Sequence, residues 1–98
     1  EQLAHKGLLQ LYEYDREHDT EYVKTLKYYI LNRFNASEAA QKLYIHRTTF
    51  IRRMERIEKL ISLNLKDPDE ILHILLSYKM FEGKEKNNER PKNPAISP

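Results

Sequence analysis

Residues 35–61 constrain the fold more than any other stretch, because a helix cap, a short helix, a three-residue turn and an arginine-rich helix follow one another there. Asn35 is placed to cap the first of these helices, and Glu38 stands three residues on, where it can complete a capping box. Ala39, Ala40 and Leu43 give that helix a thin, close-packing face. Leu43-Tyr44-Ile45 carries the turn, and His46 is expected to cap a second helix that starts near Arg47. Counting by the helical period from Phe50, the residues Phe50, Met54, Ile57 and Ile61 share one stripe, with Leu60 at its edge. Thr48, Arg52, Glu55, Arg56 and Lys59 fall opposite, while Arg47 and Arg53 flank the stripe. One side is therefore for burial and the other is mostly cationic. That order of helices suits insertion of the second into a DNA major groove.

Charge placement supports this reading. From Lys24 to Ile61 there are nine Lys or Arg against three acids, whereas residues 1–23 carry two basic groups against six acidic ones. A chain of formal net charge +2 thus concentrates its positive potential around the helix pair.

Glycine occurs only at positions 7 and 83 and strand-like alternation is nearly absent, so the fold class expected is all-α, a small bundle of about five helices containing a helix–turn–helix. A helix over residues 2–17 would place Leu3, Leu8, Leu11 and Tyr12 roughly on one side, with Gly7 weakening its middle. The next helix is expected to start at Asp19-Thr20, either side chain serving as cap, with Tyr22, Leu26, Tyr29 and Ile30 buried. Asp67-Pro68-Asp69-Glu70 is a strong helix start. The helix after it, to about Phe81, has two apolar faces. Ile71, Ile74, Leu75, Tyr78 and Phe81 make the core face, and Leu72, Leu76 and Met80 make a second. Two readings stand for the second face: the first helix crosses over and covers it, or it meets a partner, either a second protomer or an upstream region. The expected organisation is an N-terminal helix or linker over 1–18, a helix–turn–helix domain over 19–82 and a disordered tail over 83–98.

The residues Tyr14-Asp15, His18, Thr20, Thr25-Leu26, Asn35, Ser37, Ala40 and Leu43 form the first half of a recognisable pattern. It continues through His46-Arg47, Thr49, Arg53, Arg56-Ile57, Leu60, Leu63, Leu65 and Asp67-Pro68. On these residues the segment 9–81, about three quarters of the chain, resembles the C-terminal helix–turn–helix domain of PucR/CdaR-type bacterial transcription regulators, with a Fis-like reading head. The resemblance implies DNA binding here and a ligand-responsive sensor domain upstream; no cofactor is expected. Arg33-Phe34 and Ser62 stand where that family commonly has glycine, Thr48 where it has Asn, and Arg52 where it has an aromatic. The first two departures bear on loop geometry, and the last two on the DNA sequence read.

Chemistry of other kinds finds little purchase. His5, His18, His46 and His73 lie far apart with no second ligand at metal spacing, cysteine is absent, and no glycine-rich phosphate loop or nucleophile elbow occurs. The chain is read as no enzyme. Without a membrane-length apolar run or a signal-peptide pattern, and without an initiator Met, it is read as an excised cytoplasmic output domain. In that role Arg47, Thr48, Thr49 and Arg52 are the base-reading candidates and Lys24, Lys27, Lys42, Arg53 and Arg56 the phosphate contacts. Double-stranded DNA is the expected partner, with homodimerisation in the full-length protein and no membrane. The rival is a helical protein-interaction module whose basic face meets an acidic partner.

Overall fold

A computed structural model describes residues 3–89, with side chains through Gly83. Its described residues form five helices and no strand: α1 (Lys6–His18), α2 (Tyr22–Leu31), α3 (Ala36–Leu43), α4 (Arg47–Leu60) and α5 (Pro68–Glu89). Leu8 and Leu11 of α1, Leu26 of α2, Phe50 and Ile57 of α4 and Ile74 of α5 are fully buried in one core. Each such side chain contributes about 1.5–3 kcal/mol relative to exposure. Ala39 and Ala40 are buried too, and their small size lets α3 approach its neighbours closely. Because α1 shares this core, the helix expected as a linker packs with the helices that follow it.

The start of α1 differs from the expectation of residue 2. His5 is the N-cap: its Nδ1 accepts from the Leu8 N–H at 3.2 Å, so the helix begins at Lys6. Gly7 therefore lies in the first turn, where Ile61 and the His5 ring leave little room for a Cβ. Leu3 stays outside the helix and exposed. The His5 backbone N–H donates to Ser77 Oγ at 2.8 Å, and the ring bonds Glu70 Oε2 at 3.0 Å. With Nδ1 acting as acceptor, Nε2 carries the proton and donates. His73 Nε2 donates to the Leu3 carbonyl at 2.8 Å.

The start of α2 also departs from expectation. Neither Asp19 nor Thr20 caps it. Asp19 ends α1 with φ 57°, in the left-handed region, and the Thr20 hydroxyl donates to the Asp15 carboxylate. That carboxylate, reaching across from α1, supplies the cap. Its Oδ1 accepts from the Tyr22 N–H at 2.9 Å and its Oδ2 from the Val23 N–H at 2.8 Å. A negative group at the positive end of the helix dipole adds to the two bonds.

The loop before α3 carries two consecutive left-handed residues, Arg33 (φ 56°) and Phe34 (φ 63°), at the positions where the resembling family favours glycine. The Phe34 N–H donates to the Tyr29 carbonyl at 2.8 Å, closing the end of α2. Ser62 has no positive φ, so nothing in its backbone requires glycine there. Asn35 caps α3 as expected, accepting from the Glu38 N–H at 2.9 Å. The other half of a capping box is filled differently, because the Asn35 N–H donates to the Asn32 carbonyl at 3.1 Å. Tyr44, with φ 60°, ends α3 and opens the turn. His46 is the N-cap residue of α4, but its side chain makes no capping bond.

Leu63 and Leu65 pack partly against the core between α4 and α5. Asp67 Oδ1 accepts from the Asp69 N–H at 3.0 Å, starting α5 as expected. The helix then runs to Glu89, past the expected end near Phe81. Extending a formed helix costs little compared with nucleating one, and the Glu and Lys residues after Gly83 favour it. Residues 83–89 are thus helical and not a disordered tail, while 90–98 lie outside the described residues. The core face of α5 buries Ile74 and Tyr78 and half-buries Ile71, Leu75 and Phe81. The second face is uncovered: Leu72 is 57%, Leu76 54% and Met80 43% exposed. Of the two readings of this face, cover by α1 therefore fails. Helix α1 instead meets α5 through His5 and through Tyr12, whose ring lies 4.7 Å from Phe81.

Candidate nucleic-acid interface

The two faces of α4 are sharply unlike. Phe50, Met54 and Ile57 are buried, and Ile61 follows on the same stripe. Thr48, Arg52, Glu55, Arg56 and Lys59 are all exposed, so the outward ridge anticipated from the helical period is present. Arg47 is exposed in the first turn, while Thr49 is half-buried. Arg47 and Arg52 make no hydrogen bond or ion pair among the described residues. Their guanidinium forks remain available to a planar acceptor such as a guanine edge or a phosphate.

Arg53 and Arg56 are held by neighbouring helices. Arg53 Nη1 donates to Thr25 Oγ1 at 3.1 Å and lies 3.9 Å from Glu21 Oε1. Its side chain is only 24% exposed. Arg56 is exposed, and its pKa is raised first by a hydrogen bond with Tyr14 and then by the phenolic groups of Tyr22 and Tyr14. The Tyr14 ring stacks 4.0 Å from His18 and 5.6 Å from Tyr22, so an aromatic column supports that arginine. The pattern in the sequence placed the arginines correctly, but it did not reveal this support from α1.

The lysine candidates divide. Lys42 is exposed at the last turn of α3, beside the turn into α4. Lys24 and Lys27 instead line an open cleft of about 400 Å³ with Tyr12, Asp15, Tyr78 and Glu82. Lys27 is ion-paired with Glu82 of α5, and its Nζ sits 5.9 Å from the Tyr78 ring centre. Burial pushes the Tyr78 phenol well above its usual range, and its hydroxyl donates to the Val23 carbonyl at 2.7 Å. Lys27 is thus drawn toward α5, a partnership that helical spacing on α2 alone does not disclose. Among the described residues, no three His, Cys, Asp or Glu side chains group as metal ligands.

The family described as the PucR C-terminal helix-turn-helix domain matches over residues 22–80. The chain is similar to the purine catabolism regulatory protein of Bacillus subtilis (strain 168), with 33% identity over 76 residues, 78% of this chain and 14% of that protein. It is also similar to the proline-responsive transcriptional activator PutR of the same organism, with 39% identity over 62 residues, 63% of this chain and 15% of that protein. A third relative there is the DNA-binding transcriptional activator AdeR, 33% identical over 74 residues, 76% of this chain and 18% of its own length. The chain spans less than a fifth of each of these relatives. No solved structure matches it.

Proposed function

The chain belongs to the PucR C-terminal helix-turn-helix family of transcriptional regulators, and from that premise we propose that it reads specific DNA sequences with α4 in the major groove. The observation that carries this reading is the outer side of α4, where Arg52 stands exposed and unpaired opposite a packed stripe and Arg47, exposed and unpaired too, flanks that stripe in the first turn. Arg47 and Arg52 pair with base edges, with Thr48 and Thr49 beside them at the helix start. Lys42, Arg53 and Arg56 hold phosphates around the groove, and Lys24 and Lys27 add positive potential farther off. The helix-turn-helix unit spans 19–82, with α1 joined to its core, and serves as the output end of a longer cytoplasmic regulator carrying a sensor domain. No described helix is long and apolar enough to cross a membrane. Two protomers pair through Leu72, Leu76 and Met80, because a stripe of exposed leucines and methionine along one helix forfeits burial that a second copy restores. Dimers of such readers engage half-sites about 34 Å apart.

The test is selection of bound DNA from a random duplex pool, followed by titration of Arg47→Ala and Arg52→Ala on the selected site. Each substitution should cost about 1–3 kcal/mol there and flatten discrimination at one position. Equal losses on selected and random DNA would remove these residues from base reading. If an acidic polymer binds as tightly as every duplex at matched salt, the basic face serves an acidic protein partner instead.

A further inference from the structure

Tyr44 is the one Tyr or Phe side chain among the described residues that packs against neither the core nor another ring. It is 93% exposed, the most open of the large hydrophobic residues. It also sits in the left-handed region, at φ 60°, where a Cβ is disfavoured and glycine or asparagine is at ease. Its backbone N–H closes the end of α3 on the Gln41 carbonyl at 3.1 Å, a bond that glycine would make equally well. The fold therefore gives this position every reason to be glycine and no reason to be tyrosine. A strained backbone carrying a side chain with no internal role points outward, to a ligand.

Its place in the chain says which ligand. Tyr44 lies three residues before Arg47, so their Cα atoms are separated by at most about 11 Å. A major groove is about 12 Å wide, with the phosphates along its rims. A residue that far from the tip of a helix lying in the groove meets the rim, not the base edges. Lys42 in the last turn of α3 and the exposed His46 flank it in the chain, and no acid occurs between Glu38 and Glu55. A phenol suits that position because it is a neutral donor, whereas a phosphate offers acceptors alone. Resting on the major-groove reading of α4 above, we propose that the Tyr44 hydroxyl donates to a backbone phosphate oxygen at the rim of the groove, fixing the depth and register of α4 without reading sequence.

Tyr44→Phe and Tyr44→Gly test this, each melted and titrated across salt against the selected duplex and a random duplex of equal length. Tyr44→Phe should leave the melting temperature unchanged and weaken binding about three- to tenfold, by the same factor on both duplexes. Tyr44→Gly should melt no lower than the unaltered chain and bind at least as weakly as Tyr44→Phe. Neither should alter the salt slope, since no cation is removed, while Lys42→Ala should reduce it. Unchanged binding by Tyr44→Phe would overturn the proposal, and so would a loss confined to the selected site or one that tracks a lowered melting temperature. If the unaltered chain binds no duplex at all, the DNA reading itself falls and takes this contact with it.

Discussion

Arg53 donates to Thr25 at 3.1 Å, and Thr25 in turn donates from the same hydroxyl to the Glu21 carbonyl at 2.7 Å. Helix α4 is thereby tied to the first turn of α2 by a side chain that is fully buried on the α2 side. A packed apolar stripe leaves a helix some freedom to roll, whereas a directional bond from its flank does not. The roll of α4 sets which of its side chains face outward, so this pair helps to aim Arg52 and Thr48.

Thr25→Val keeps the shape of the side chain and removes both bonds. It should destabilise the domain by about 0.5–1.5 kcal/mol in urea, since the freed guanidinium can turn to water. Arg53→Ala should cost a similar amount, and the double variant should cost less than the two combined. Additive losses would show that the bond does not couple the helices.

Asp15→Ala should cost about 0.5–2 kcal/mol, because it strips the helix-end donors of Tyr22 and Val23 of their acceptor. Hydrogen exchange localises the effect: those two amides should lose protection ahead of the rest of α2. Uniform acceleration across the domain, with no excess at Tyr22 and Val23, would mean that the carboxylate is not a cap in solution.

Arg33→Gly should stabilise the chain. A left-handed residue with a Cβ costs about 1–2 kcal/mol, and glycine returns about 0.4–1 kcal/mol of that through the entropy of the unfolded chain. The expected gain is about 0.5–1 kcal/mol in thermal or chemical unfolding. Phe34→Gly should gain less, because it also deletes the edge-on contact with Tyr29, whose ring centre is 5.5 Å away. A drop in stability for Arg33→Gly would contradict the left-handed conformation.

Leu76→Glu replaces a side chain that is 54% exposed, so it should leave the melting temperature of the monomer nearly intact. Sedimentation of the unaltered chain at rising concentration should show self-association that this variant lacks. Two equally monomeric, equally folded proteins, alone and on selected DNA, would rule out pairing through this face.

What the sequence disclosed follows the range over which each signal acts. The α4 stripe was legible because Phe50, Met54, Ile57 and Ile61 are related by the helical period alone. Asn35 and Asp67 were legible as caps because the N–H groups that donate to them lie two or three residues away. Asp15 was not, since it caps a helix seven residues on only after the chain has turned back at Asp19. Lys27 looked free on α2 because Glu82, its partner, arrives from the far end of the chain. The two readings of the second α5 face could not be separated in the sequence for a related reason. Spacing marks an apolar stripe but does not say whether another helix lies over it.

The segment from Leu3 to His5 is moored to α5 at three heights, through Glu70, His73 and Ser77, over about 10 Å of helix. Mechanically, Leu3, His5 and α5 act as a strut and not as a hinge. A torque applied at Leu3 loads bonds at both ends of that span together. The stripe Leu72–Leu76–Met80 rides on the same helix, and a twist entering at residue 3 re-aims that stripe directly. Helix α4 receives the twist at one remove, through α2, which α5 holds at Val23 and Lys27 and which Arg53 reaches at Thr25.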